Sequence, residues 1–471
     1  MKTRILEMAL GLLIISLAAR AQVEPPAATG MTVEYAVRLA LQHNPDLRTA
    51  QLELEKAHKR VLEAWGNTMP SIEISSQYMH LIDKPVSYFP DYLIYPLYKI
   101  MDSTARFPKA TGQLILLPGS MSPGFTAGAT LNVRQILFNG AVFVGVGAAT
   151  IYSHLAEDLY RAKRIETVTK VKKAYYQALL AREGAALMKS SLQNAEDNLK
   201  NVQLMRRQGI ISEYDELRAS VGVENLRPMV IQSENGYSLA LDALRNAVGL
   251  ASEATISLLD SLEFHPVDPV IISEAENIMK EGNPNLSAVK QQIELNGAMV
   301  SAERSNYLPT IAAFGSYQYS GIKNEFNFST NDFYKSSQVG LTFSLNLFQG
   351  LQTYARVAQA QMEERKSEEQ LTAVERSLTT GVHSVQSNLE QAAKRLEAQE
   401  KTIQMAERGY HIVTTKFLNN SATQLEVNDA QLALTQAKVN RIQAVYDYVV
   451  AAADLDQLLG RLPSYAVETD D

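Results

Sequence analysis

The stretch QVGLTFSLNLFQG, residues 338–350, changes its period once, and that change decides the fold. Val339, Leu341, Phe343, Leu345 and Leu347 alternate with Gln338, Gly340, Thr342, Ser344 and Asn346. A period of two marks a strand with one apolar and one polar face. After Gln349-Gly350 the period becomes 3.6, and a helical pattern continues to about Phe417. Such a segment, about 65 residues at ~1.5 Å each, makes ~100 Å of helix, far beyond an ordinary globular helix, and implies coiled-coil packing. The stretch TAGATLNVRQILFNG, residues 126–140, does the same. Ala127, Ala129, Leu131 and Val133 alternate with polar or small residues, and after Asn139-Gly140 a helix follows to about Gln208.

These two stretches belong to an internal duplication. Asn44-Pro45 returns as Asn283-Pro284 and Met69-Pro70 as Leu308-Pro309, both 239 positions on. Leu137-Phe138-Asn139-Gly140 returns as Leu347-Phe348-Gln349-Gly350 after 210 positions, and Val248-Gly249 as Leu459-Gly460 after 211. Two copies of one unit are therefore expected, at 22–249 and 271–460, joined by an equatorial segment at 250–270 and followed by a tail at 461–471. Each copy reads as a helix broken at Asn-Pro, a strand, a loop, a strand, a long helix, a tip and a return helix. In the first copy the strands fall at 70–80 and 125–138, the helices at 141–208 and 212–249. In the second the strands fall at 309–319 and 338–348, the helices at 351–417 and 421–460. The shortfall of about 29 residues lies between the strands. The loop at 80–124 is rich in Pro and Tyr, whereas its counterpart is only 320–337.

Composition removes several classes of function. Net charge is −7 over 471 residues, which disfavours a nucleic-acid partner. There is no cysteine, hence no disulfide framework, thiolate chemistry or lipidation through an N-terminal Cys. Gly145-x-Gly147-x-x-Thr150 lacks the third glycine and the βαβ setting of a dinucleotide site. No cofactor and no enzyme activity are expected. Lys2 and Arg4, the apolar run Ile5–Leu17 and Ala19-Arg20-Ala21 make a secretory signal peptide over 1–21. No other stretch is apolar for long enough to span a membrane as a helix. An exported membrane protein of this kind must span with strands. Thr126–Phe138 reaches ~43 Å at ~3.3 Å per residue and ~33 Å when tilted by ~40°, enough for an outer-membrane barrel. Alternation alone leaves a sandwich equally open, and the long flanking helices decide for the barrel. Four strands per chain cannot close, and open edges are not tolerated in lipid. Three chains supply twelve strands, so a homotrimer with a bore is expected.

Thr32-Val33-Glu34-Tyr35-Ala36 through Asn44-Pro45-Asp46-Leu47, Met69-Pro70-Ser71 with its copy, Gln135–Gly140 with its copy, and the tips Gly209-x5-Asp215 and Asn420-x5-Glu426 together resemble the outer membrane efflux protein (TolC) family over nearly the whole mature chain. The resemblance implies a trimeric twelve-stranded outer-membrane β-barrel continued by an α-helical coiled-coil barrel in the periplasm. Its partners would be outer-membrane lipid, a periplasmic adaptor and an inner-membrane pump of RND or ABC type. It would be a passive exit duct for small toxic compounds or exported protein. By position, Asp215, Glu426 and Asp429 fall at the periplasmic gate. Gly209, Ile210, Ile211, Leu418, Asn419 and Asn420 fall at the adaptor-contact tips. Rings of carboxylates on a threefold axis would attract cations and raise one another's pKa. Capping competes as an explanation, since Ser212-x-x-Asp215 reads as a capping box. The alternative function is a structural or adhesive protein whose aromatic loop binds an external partner.

Overall fold

The computed structural model describes residues 30–83, 87–93, 96, 111–117 and 123–467. The signal peptide expected at 1–21 and much of the loop at 80–124 lie outside them. The chain forms two compact units, and these do not follow the two repeats. One takes the residues up to Lys56, His154–Gln291 and those from Glu368; the other takes Ala57–Ser153 and Gln292–Ser367. Both repeats therefore contribute to both units.

The smaller unit holds the sheet. Strands β1 (Ser71–His80), β4 (Phe125–Phe138), β5 (Thr310–Lys323) and β6 (Phe333–Ser344) pair antiparallel in the order β1-β4-β5-β6. The short strands β2 (Ser87–Pro90) and β3 (Leu114–Leu117) form a separate ribbon inside the first loop. Register puts most apolar residues of the four long strands on one face, with Met79, Phe314 and Ile322 on the other. Ile74 lies opposite Leu131, Leu131 opposite Tyr317, and Tyr317 opposite Ser337. One row away, Ile72, Val133, Gly315 and Val339 line up in the same way. The other face carries Glu73, Asn132, Ser316 and Gln338. β1 and β6 are the two edges, and no described strand covers either.

Two strands and the loop between them, expected from alternation, are corrected in their bounds. The second-half strands are 310–323 and 333–344, not 309–319 and 338–348, and the loop between them is 324–332 rather than 320–337. Alternation continues through Leu347, but a ladder needs a partner. Ser344 pairs with Thr310, and the preceding Pro309 has no N–H to continue the ladder. At the other end the ladder runs on to Gly321–Phe333, closed by a capping box between Ser329 and Asp332 and by Lys323, 2.8 Å from Asp332.

The larger unit is helical, and four of its helices belong partly to the smaller unit. Helix α1 (Val33–His43) leads to α2 (Pro45–Gly66), and the long helices are α3 (Gly140–Arg207) with its return α4 (Glu213–Val248). After α5 (Pro269–Ser273), α6 (Ala275–Gly282) and α7 (Pro284–Arg304), the second copy gives α8 (Gln352–Leu418) and its return α9 (Gln424–Leu458). The shared helices are α2, α3, α7 and α8. On α3, Ala148, Leu155, Ile165, Val168, Val171 and Ala178 are buried, while Leu159 is 52% exposed. The segment between the repeats is strapped to α3. Arg182 donates to the carbonyls of Leu258 and Asp260 at 2.8 and 2.6 Å, and Met31 bridges to Leu258. The end of the chain is more than a tail: α10 (Ser464–Val467) is a helical turn, and Ala466 is fully buried in the largest core cluster.

The Asn-Pro signatures are built joints. Asn44 accepts from Leu47 N–H at 3.1 Å and donates to Ala247 O at 2.8 Å. Asn283 accepts from Asn285 and Leu286 N–H and donates to Leu458 O at 2.8 Å. One amide thus caps the helix that follows it and captures the last turn of a return helix, satisfying orphan groups at two helix ends. The glycines ending those return helices lie against the same joints. Gly460 has φ +70°, and a Cβ there would sit 2.2 Å from Gly282 O; Gly249 is its counterpart against His43 O. Only glycine fits a left-handed cap so close to another backbone.

Candidate functional site

The two tips use one device with different residues. At the first, Gly209 has φ +74°, its N–H donates to Arg206 O at 2.8 Å, and Ile210 N–H donates to Met205 O at 3.0 Å. At the second, Asn420 has φ +56°, its N–H donates to Phe417 O at 2.9 Å, and Ser421 N–H donates to Lys416 O at 2.8 Å. Both are Schellman ends, which need a left-handed residue, and glycine and asparagine are the residues that tolerate it.

Beneath the turns the two hairpins share a small core. Val202 on α3, Ala219 on α4, Phe417 on α8 and Val427 on α9 are buried together, and Ile211 and Ala422 pack against them. Among the tip residues, Ile211 is therefore turned inward, while Ile210 and Leu418 are 46% and 55% exposed. The Asn419 side chain donates to Thr415 O at 2.9 Å. An exposed apolar pair, Ile210 and Leu418, remains at the ends of the hairpins.

The acidic residues divide by local chemistry. Asp215 donates its N–H to Ser212 Oγ at 3.2 Å, and Ser212 Oγ donates back to its carboxylate at 2.6 Å. Glu426 completes a capping box: its carboxylate accepts from Thr423 N–H at 2.6 Å and from Thr423 Oγ1 at 3.0 Å. The Thr423 backbone N–H, then its hydroxyl, holds the Glu426 carboxyl below the usual range. Within one chain the shift therefore runs opposite to the rise expected from clustered carboxylates, because the cap stabilises the charged form. Asp429, past the first turn of α9, is exposed, and among the described residues no hydrogen bond or ion pair engages it. No such contact links the three carboxylates to one another there. The basic residues of the first tip are largely committed to their own hairpin. Arg206 pairs with Glu216 and with Glu213 at 3.4 Å, and Arg218 donates to Tyr214 at 3.0 Å and stacks over its ring.

Between α3, α4 and α9 runs a groove of about 400 Å³ whose walls include Ala195, Ala219, Gly222, Asn428 and Gln431. Sequence reading missed this groove, because three separate segments form it.

The sequence profile described as outer membrane efflux protein matches residues 118–250 and 277–461. The outer membrane protein TolC of Vibrio cholerae is 24% identical over 337 residues, 71% of this chain and 76% of its own. The alkaline protease secretion protein AprF of Pseudomonas aeruginosa is 23% identical over 344 residues, 72% of this chain and 71% of its own. The crystal structure of the outer membrane protein VceC of Vibrio cholerae matches with a TM-score of 0.70 at 15% identity, covering 91% of this chain and 96% of that one.

Proposed function

Because the chain belongs to the outer membrane efflux protein family, we propose that it is the exit duct of a tripartite efflux or type I secretion system, assembled as a homotrimer. It is an outer-membrane protein and a passive channel, not an enzyme. The observation that carries the assembly is the sheet. Its apolar face is exposed, with Ile72 at 70%, Ile74 at 75%, Val339 at 89% and Leu341 at 72%, and its two edges are open. Lipid satisfies the face, but only pairing of β6 with β1 of another copy satisfies the edges. Three copies make a closed barrel of twelve strands.

The gate is assigned to the second tip, and within it to Asp429. Glu426 and Asp215 are spent on capping, whereas Asp429 keeps a free carboxylate. On a threefold axis it forms a ring of negative charge that favours cations. An α-helical adaptor meets Ile210, Leu418 and the groove between α3, α4 and α9, whose walls combine apolar Met188, Leu226 and Leu432 with amide side chains of Asn428 and Gln431. The pump is of RND or ABC type.

The test is electrical. Full-length protein in planar bilayers should give stepwise, cation-preferring conductance, and Asp429→Asn should lower that preference by roughly twofold. Absence of conductance would sink the duct, and an unaltered preference would sink the role of Asp429.

A further inference from the structure

The lipid-facing side of the sheet carries charge at one end only. Across the four long strands that face consists of the even-numbered residues of β1 and the odd-numbered residues of β4, β5 and β6, as the register requires. Its charge-bearing side chains are His80, Lys323 and Lys335, all basic, and no carboxylate from these strands shares the face. All three sit at the end towards the connecting loops. His80 pairs across to Phe125, Phe125 to Lys323, and Lys335 to Tyr319 two steps below. The opposite, lumenal face differs, since it holds both Glu73 and Arg134.

Aromatic rings surround the basic groups. Phe125 stacks on His80 at 4.2 Å, Tyr319 stacks on Phe333 at 4.9 Å, and Phe326 from the loop packs edge-on against Tyr78 at 5.6 Å. Lys323 is held by Asp332 at 2.8 Å. Lys335 is exposed, and no carboxylate engages it among the described residues. An unneutralised ammonium on a lipid-facing surface is costly unless it reaches an interface and meets an anion there. About eight residues, or ~20 Å of tilted strand, separate it from Phe343 at the other end of the face, which places it at the rim of a ~25 Å apolar band.

We propose that this rim docks a phosphorylated lipid of the surrounding leaflet, with Lys335 contacting the phosphate and Tyr319 and Phe333 forming the apolar platform beside it. The proposal rests on the outer-membrane duct reading. Phosphate matches the Lys335 ammonium, which no carboxylate engages among the described residues whereas Asp332 neutralises Lys323, and the rings accept the sugar or acyl portion of the headgroup region.

The experiment uses full-length protein in detergent, with bisphosphorylated lipid A and its phosphate-free form as probes. Native mass spectrometry reads the lipid retained, and bilayer conductance is recorded on the same preparations. The phosphorylated form should be retained about fivefold better, Lys335→Ser should remove that difference, and Lys335→Arg should restore it. Equal retention of both forms, or a Lys335→Ser variant that still discriminates, overturns the site and leaves a conducting duct intact. A preparation that does not conduct overturns the duct reading and the site with it.

Discussion

Replacing Asn283 with alanine tests whether the Asn-Pro joint holds the return helix. Asn283 is 3% exposed and makes three hydrogen bonds, two received from Asn285 and Leu286 N–H and one donated to Leu458 O at 2.8 Å. Loss of an N-cap costs about 1 kcal/mol. Leaving the Leu458 carbonyl without its buried partner costs about 1–3 kcal/mol more. The total, about 2–4 kcal/mol, corresponds to roughly 30- to 700-fold more frequent local opening, at tenfold per 1.4 kcal/mol. Hydrogen exchange at Leu459 and Gly460, whose amides close the end of α9 on Leu455 O and Gln457 O, reads that opening directly. Asn283→Ser separates the two contributions. Serine retains an N-cap acceptor but is too short to reach Leu458, so it should keep the smaller part of the protection. Exchange in Asn283→Ala within about threefold of the parent would refute the reasoning, because a difference that small leaves no room for a lost buried hydrogen bond.

At the first tip, Gly209 sits at φ +74° with open space where a side chain would project, so conformation alone sets the cost. Gly209→Asn should be nearly neutral, as Asn420 occupies the same position in the second tip, while Gly209→Val should destabilise the hairpin by about 1–2 kcal/mol, measurable by exchange at Ile210. In the outer ribbon, Asp91 accepts from Thr111 N–H, Thr111 Oγ1 and Gly112 N–H, and the Thr111 N–H foremost holds its carboxyl below the usual carboxylate range. A depressed carboxyl stabilises the folded form above its ordinary pKa and is lost as pH falls through the lowered value. Protection of the Thr111 and Gly112 amides should therefore survive mildly acid conditions and vanish only below the ordinary Asp range, and Asp91→Asn should weaken it at neutral pH. Finally, Val339 is 89% exposed on the lipid-facing side, and Val339→Arg should cost about 2–4 kcal/mol of barrel stability in vesicles. Full assembly of that variant would count against the orientation of the sheet.

Element types were legible because they depend on period, and period is local. The alternation of 126–138 and the long 3.6-residue stripes after Gly140 and Gly350 specify strand and helix without knowledge of any neighbour. Strand ends were less legible. Leu345 and Leu347 alternate as well as Leu341, yet the ladder stops at Ser344 because Pro309 on the opposite strand cannot pair. The candidate site was half legible. Gly209 and Asn420 marked the tips and Ser212-x-x-Asp215 its cap, whereas the Thr423-x-x-Glu426 capping box emerged only in the structure. That Asp429 stays free, that Ile211 turns inward and that Lys335 shares the apolar face of the sheet each depend on what stands across a strand or a hairpin.

The sequence by itself determined that this is a duplicated chain of two strand pairs and two long helical hairpins, with termini and turns marked by Pro, Gly and Asn. Those features follow from backbone sterics and side-chain periodicity, which act over a few residues. Only the tertiary structure decided which residues meet. Asn44 reaches Ala247 and Asn283 reaches Leu458, each across about two hundred residues, and each closes a glycine cap that no spacing rule reveals. It also decided that the charge-bearing side chains of the sheet's apolar face, His80, Lys323 and Lys335, all lie at its loop end. Hydrogen-bond satisfaction and register are properties of pairs of segments, and such pairs exist only once the chain has folded.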